Sequence, residues 1–503
     1  MLIGVFTISV SILTITVKFR NKYIMPTYTK KSSKFLYEKI IDNVSSQISK
    51  GILKPGEQLP SVRSLSDELG VSISTILQSY ISLENLGLVE AKPQSGYYVR
   101  LKSTKVLPEP EILNIETAIR SYGSEELIDN VHELSKVPNI ISLGAGIPNQ
   151  DILPVKQLNR IVSSISKGLE TGCITYEFPP GNYKLRREIA KRSYEAGYNI
   201  SPDEIIITSG AIEALTLSLR AITKPGDTII TESPTYYLIL QLIKSLGLKT
   251  LEIPTHPRDG IDINSLKEVT TSHNIAACIF YPTINNPLGS IIPEENRKKI
   301  YKVLAAKNIP LIEGNVYGEL CFNKIRPKPI KAYDDKGLVL YFSSFSKTVA
   351  PGFRTGWISP GRYFEKIKKL KFLTSIATSS LPQIALSEFV RTGGYERHLK
   401  YLRKVYSSRI SCLSDYISEF FPDGTKIARP QGGFYLWIEL PKSVNSIKLQ
   451  REALKENISI APGPLFSTRE NFLNYIRLSC ACEWNSTKIK NAIYTLGKLC
   501  KKY

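Results

Sequence analysis

Apolar residues first recur at helical spacing over residues 34–50, where Leu36, Ile40, Ile41, Val44 and Ile48 share one face. Gly51 stops that helix, and Lys54-Pro55-Gly56 makes a turn. Ser61 is the N-cap of a predicted second helix that carries Leu65 and Leu69 and ends at Gly70. Ser72 caps a third helix, which runs through Ile76, Tyr80 and Leu83 to Asn85 and is closed by Gly87. Leu88-Val89-Glu90 and Tyr97-Tyr98-Val99 flank a Pro93/Gly96 turn and read as a β-hairpin. Three helices followed by a hairpin predict a winged helix-turn-helix, an α+β module over residues 33–101.

The periodicity then weakens, and Pro108 and Pro110 mark a linker over 102–138 with room for one helix. From Ile140 onward, apolar runs such as Ile205-Ile206-Ile207, Ile229-Ile230, Ala276-Ala277-Cys278-Ile279-Phe280 and Leu338-Val339-Leu340 alternate with helical stretches. Buried parallel strands interleaved with helices predict an α/β domain over residues 139–503. No internal repeat or low-complexity tract interrupts it.

Composition changes this picture little. A chain of 503 residues with 42% hydrophobic and 22% charged residues is that of a multidomain globular protein. The formal net charge of +21 suggests a polyanionic partner. Residues 25–105, however, hold 11 Lys/Arg against 7 Asp/Glu, so most of the excess lies outside the helical module. Among the seven cysteines, Cys480 and Cys482 form the one close pair. Without a second cluster no metal site is expected, and the thiols read as reduced residues of a cytoplasmic protein.

The uncharged stretch Leu2–Val17, followed by Lys18, Arg20 and Lys22, is shorter than a membrane helix and lacks the basic start and small-residue cleavage site of a secretory signal. Residues 1–24 read as an upstream extension ahead of Met25; a membrane anchor is the competing reading.

The stretch Leu36–Val99 resembles the winged-helix domain of the GntR family. The resemblance is carried by Gly51-Ile52-Leu53-Lys54-Pro55-Gly56, Leu59-Pro60-Ser61-Val62-Arg63-Ser64-Leu65, Leu69-Gly70-Val71-Ser72, and Ala91-Lys92-Pro93-Gln94-Ser95-Gly96-Tyr97-Tyr98-Val99. It implies binding of double-stranded DNA. Arg63 suits a bidentate contact to phosphate or guanine, while Ser72, Ser74 and Thr75 offer hydroxyls and helix N–H groups. Lys92 and Gln94 on the wing suit the minor groove. Many relatives place an arginine where this chain has Ile73, which leaves Ile73 to meet a thymine methyl or to face the core.

Residues 140 to about 500 resemble fold-type I, aspartate-aminotransferase-like pyridoxal-phosphate enzymes, and the whole chain is similar to the MocR branch of the GntR family. Ser344-Phe345-Ser346-Lys347 followed by Pro351-Gly352-Phe353-Arg354-Thr355-Gly356-Trp357 carries most of this. The resemblance implies a Schiff base of pyridoxal 5'-phosphate at Lys347, with Ser344, Ser346 and Arg354 on its phosphate. Ser209-Gly210-Ala211 implies further phosphate contacts at a helix N-terminus. Tyr236 matches a tyrosine stacked on the pyridine ring, and Asn286 and Tyr317 match the pair that share the phenolic oxygen. Arg477 matches the arginine that clamps an amino-acid carboxylate. Tyr176 matches a tyrosine that reaches the phosphate of the partner subunit, which implies a homodimer.

One position departs from the pattern. An aspartate three residues before the tyrosine pairs with the pyridinium nitrogen in the family, and here that position is Gly314, in Ile312-Glu313-Gly314-Asn315-Val316-Tyr317. Either a bulge brings Glu313 or Asn315 into place, or efficient carbanion chemistry is lost. The expectation is a regulator that binds DNA and senses an amino acid, an amine or the cofactor itself, with transamination weak or absent. The alternatives are an active aminotransferase with a vestigial DNA module, and a dimerisation scaffold without cofactor. No membrane partner is expected.

Overall fold

The computed structural model describes residues 16–18, 24–26, 36–92, 94–100, 107–113, 117–120, 137–168, 173–322, 326–469 and 471–503. The chain divides into two compact units, Met1–Lys102 and Ser103–Tyr503. Within the stretch read as an upstream extension, Thr16–Lys18 pairs antiparallel with Ile24–Pro26, and the rest of 1–24 lies outside the described residues. No helix among the described residues is long and apolar enough to cross a membrane.

In the first unit, helices α1 (Leu36–Ser49), α2 (Val62–Leu69) and α3 (Ile73–Asn85) follow the predicted spacing. Ile40, Ile41, Val44, Leu65, Ile76, Tyr80 and Leu83 are buried and form their common core. Ser61 caps α2 by accepting from Ser64 N at 3.1 Å, and Gly70 ends it in the left-handed region at φ 62°, which costs glycine little. Strands Val89–Lys92 and Gly96–Val99 form the wing, with Val89 opposite Val99 and Lys92 opposite Gly96. Just past the predicted turn, Gln58 forms an isolated antiparallel bridge to Tyr98. Val99 N donates to Glu57 O at 2.7 Å and Leu59 N to Tyr97 O at 2.8 Å, so the wing's inner edge is paired.

An eight-stranded sheet is the centre of the second unit. Its order is Ile206–Thr208, Gly356–Ser359, Val339–Ser344, Leu311–Gly314, Ala277–Phe280, Thr228–Ser233, Lys249–His256, Gly260–Ile261. The five strands from Val339–Ser344 to Lys249–His256 are parallel, and Gly356–Ser359 runs against both its neighbours. Helices cover both faces, so the strands are buried and largely apolar, as the isoleucine runs predicted, with Glu232, Glu252 and Glu313 as buried exceptions. Helix Ala211–Ile222 buries Ala214, Leu215, Ser218 and Leu219 on its inner face. A four-stranded antiparallel sheet (Lys426–Ile427, Tyr435–Glu439, Tyr475–Ser479, Ala461–Pro462) completes the unit.

Two described pieces of the 102–138 linker are non-helical and lie along this unit. Arg120 and Thr250 exchange both backbone hydrogen bonds, and Glu109 pairs with Arg258 and Arg429. The predicted linker helix falls outside the described residues.

Candidate functional site

The parallel strands end on one side of the sheet, and the loops that follow them supply the chemistry, as expected at the carboxyl edge of an open α/β sheet. Thr208 ends its strand, Ser209 and Gly210 turn, and helix Ala211–Ile222 begins with Gly210 at φ 87°. A Cβ at Gly210 would stand 2.6 Å from Nη2 of Arg354, so only glycine lets the guanidinium lie against this turn. Arg354 Nη1 donates to Ser346 Oγ at 3.2 Å, and the Ser344 and Ser346 hydroxyls are 3.0 Å apart. The backbone N–H of Ser209 is already taken by Glu213 Oε2 at 2.6 Å. That carboxylate also accepts from Lys371, which is 1% exposed, so the turn is locked by a buried ion pair.

Lys347 lies between this turn and the small sheet, its Nζ donating to Gly146 O at 2.6 Å. Burial and the positive charges of Arg477 and Arg354 lower its amine from 10.5 to about 8. Arg477 is fully buried on strand Tyr475–Ser479, where Nη1 donates to Asn286 Oδ1 at 2.9 Å and Nη2 to Gly144 O at 2.5 Å. The rings of Tyr435 and Phe466 pack on its guanidinium at 4.2 and 4.9 Å. No carboxylate pairs with it among the described residues.

Tyr236 caps helix Tyr237–Ser245, and the Tyr317 hydroxyl meets that of Tyr435 at 3.2 Å. Burial pushes both Tyr236 and Tyr317 well above the ordinary phenol range.

Thus Ser209, Gly210, Ser344, Ser346, Lys347, Arg354, Tyr236, Asn286 and Tyr317 lie on loops and element ends of one unit, with Ala211 opening a helix and Arg477 in the middle of strand Tyr475–Ser479. Tyr176 stands apart. Its ring is 71% exposed and stacks on Phe178, which contacts Phe372.

The bulge considered for position 314 is absent. Glu313 and Gly314 pair in regular register with Tyr341 and Phe342. Glu313 points to the other face, where its oxygens accept from Ile330 N and Lys331 N at 2.8 Å each. Asn315 turns away as well, its Nδ2 donating to the Tyr341 hydroxyl.

Sequence reasoning missed the loop Gly144-Ala145-Gly146, whose carbonyls hold Arg477 and Lys347, and it missed Tyr435, Tyr281 and Glu232. The paired glycines after the short strand Ile141–Ser142 were the available signal. A side chain at Gly146 would collide with the Tyr435 hydroxyl.

In the first unit, Ser72 Oγ accepts from Thr75 N at 3.2 Å and lies 2.8 Å from the hydroxyls of Ser74 and Thr75. Arg63 is exposed. Ile73 is 52% exposed, which excludes core packing, and it heads a stripe with Leu77 and Ile81. On the wing, Lys92 sits 4.4 Å over the Tyr98 ring, and Gln94 takes φ 60° in the exposed turn.

Residues 138–496 match the aminotransferase class I and II family, and residues 36–99 match the bacterial regulatory proteins of the gntR family. The chain is 36% identical over 463 residues to the HTH-type transcriptional regulator YdcR of Escherichia coli, spanning 92% of this chain and 98% of that one. To the HTH-type transcriptional regulator NorG of Staphylococcus aureus it is 28% identical, over 88% of this chain and 100% of the relative. Among solved structures, the kynurenine aminotransferase of Pyrococcus horikoshii, crystallised with PMP, is similar at a TM-score of 0.70 and 29% identity, over 76% of this chain and 97% of that one. The multiple substrate aminotransferase of Thermococcus profundus is similar at 0.69 and 25% identity, over 76% and 95%.

Proposed function

The chain belongs to the GntR-family regulators that carry an aminotransferase class I and II domain, and from it we propose a dimeric, cytoplasmic transcription regulator that senses an amino acid, an amine or its own pyridoxal-phosphate cofactor. One observation carries the reading. Arg477, buried and without a carboxylate partner among the described residues, is near enough to the buried Lys347 amine to lower its pKa. A buried unpaired guanidinium costs several kcal/mol, and an incoming carboxylate offsets that cost.

The residues fit pyridoxal phosphate. Asn286 Nδ2 is buried with no hydrogen-bond partner among the described residues, leaving a donor for the ring's phenolic oxygen. The missing side chain at Gly210 lets the Arg354 guanidinium lie against the helix N-terminus, and with the Ser344 and Ser346 hydroxyls it would supply the donors an anion needs. Bound there, the cofactor supplies an aldehyde for amines and an aromatic ring that withdraws electrons.

The chain's own groups then divide the work. Lys347, its pKa lowered to about 8, would be the covalent anchor, with a larger neutral fraction near physiological pH than an ordinary lysine has. Tyr236 supplies a flat face, Tyr317 and Asn286 hold the phenolic oxygen, and Arg477 takes the carboxylate of an amino-acid effector. The exposed patch of Ile174, Tyr176, Phe178, Phe372, Leu373 and Ile376 suits a second copy of this chain. Phe372 follows Lys371, which is paired to Glu213 at the phosphate turn, so a partner's tyrosine docking there would be near that turn. In the first unit, Arg63, Ser72, Ser74, Thr75, Lys92 and Gln94 would meet DNA. Ligand binding would act by favouring one arrangement of the two DNA-binding modules.

The test is a gel shift on candidate operators together with visible spectra of the protein loaded with pyridoxal phosphate. The reading expects a cofactor band lost in Lys347→Ala and an effector that changes both the band and the DNA affinity. Equal affinity for operator and random DNA with every effector would refute it.

A further inference from the structure

Position 314 ends its strand at the pocket, and a neighbour's ring occupies the space its side chain would take. A Cβ at Gly314 would lie 2.5 Å from Cζ and 2.8 Å from Cδ1 of Tyr281, so nothing larger than glycine fits while that ring stays. The register explains the meeting. Phe280 is paired with Glu313 across adjacent parallel strands, which makes Tyr281 and Gly314 the next neighbours.

Tyr281 is firmly held. Its backbone N–H donates to the buried Glu232 at 2.8 Å, and its ring stands edge-on to Phe342 at 6.0 Å. It is 7% exposed, and its hydroxyl makes no hydrogen bond among the described residues.

The pyridine nitrogen of pyridoxal phosphate is para to the aldehyde carbon. With the aldehyde at Lys347, the nitrogen therefore points away from that lysine. We propose that Tyr281 is a positioning residue that closes the ring-nitrogen end of the pocket, presenting a phenol hydroxyl where position 314 would otherwise carry a carboxylate. The cofactor is thereby held with a neutral ring nitrogen and serves recognition more than chemistry at the effector's α-carbon. This rests on the placement of the cofactor proposed above. Burial and the adjacent Glu232 keep the phenol above its ordinary range, so it stays a neutral donor. Burial pushes Glu232 itself up to about 7, and it is directed at the backbone N–H of Tyr281.

The experiment compares the full-length wild type with Gly314→Asp, Gly314→Asp/Tyr281→Ala and Tyr281→Phe. Without added cofactor, Gly314→Asp should melt several degrees lower than wild type, and the double variant should recover most of that loss. Titrated with pyridoxal phosphate, Tyr281→Phe should bind about tenfold more weakly at an unchanged melting temperature. Given an L-amino acid, the double variant should convert bound pyridoxal phosphate to pyridoxamine phosphate, releasing the 2-oxo acid, at least tenfold faster than wild type. Gly314→Asp melting like wild type would overturn the proposal, and so would Tyr281→Phe with wild-type cofactor affinity. If wild type shows no Lys347-dependent band, the cofactor reading fails and the proposal falls with it. The presence or absence of that band tells the two failures apart.

Discussion

Arg477 and Asn286 share one hydrogen bond of 2.9 Å and are both left with something to give. Among the described residues the guanidinium has no carboxylate, and the amide's Nδ2 has no acceptor. A pocket so rich in donors and poor in acceptors is built for an anion.

Arg477→Met should therefore keep the fold, since it replaces a buried charge by a side chain of similar length. Affinity for amino acids should fall by about 100-fold, the cost of one lost buried charged pair, while affinity for the matching amines should hardly change. Titrating the cofactor band with each amino acid and its decarboxylated amine measures the difference.

The lowered pKa of Lys347 predicts a pH dependence with a definite sign. Between about 8 and 10.5 the folded state binds fewer protons at this group than the unfolded chain. Its destabilising effect is complete below pH 8 and is relieved as pH rises through that window. The cofactor-free wild type should melt below Lys347→Met at pH 7.5, and the gap should close towards pH 10. At pH 7 the reactive amine fraction should be roughly 300-fold that of an ordinary lysine, so cofactor uptake should still be fast there.

On the DNA side, Arg63→Ala should weaken binding uniformly across sequences and reduce the log–log salt slope by about 1. Ile73 should read a thymine methyl. Replacing that thymine by deoxyuridine should cost wild type several-fold in affinity and leave Ile73→Ala unaffected, as a competition gel shift would show.

Leu373 is 69% exposed in the patch around Phe178. Leu373→Glu should place a charge in the proposed dimer interface and yield monomers by light scattering. If Tyr176 serves a neighbour's phosphate, the same variant should also bind pyridoxal phosphate several-fold more weakly.

Local sequence determined whatever depends on spacing along one segment. The apolar faces of α1 and α3, the cap at Ser61, the left-handed stop at Gly70 and the isoleucine runs of the sheet are readable because each is fixed by residues a few positions apart. The resemblance around Lys347 and Arg354 likewise supplied the residues proposed to hold the cofactor. Tertiary structure alone decided what meets across the fold. The pairing of Glu57–Leu59 with the wing needs two segments about 40 residues apart to come together, and neither alternates clearly enough to announce it. The question at position 314 was likewise open in the sequence, since a strand written Ile-Glu-Gly-Asn permits either a bulge or a regular ladder. Regular pairing with Tyr341 and Phe342 settled that Glu313 faces away, and the neighbouring strand delivered Tyr281 into the gap. Which side chain fills the space a glycine leaves depends on the three-dimensional register of another strand, and one-dimensional spacing does not contain it.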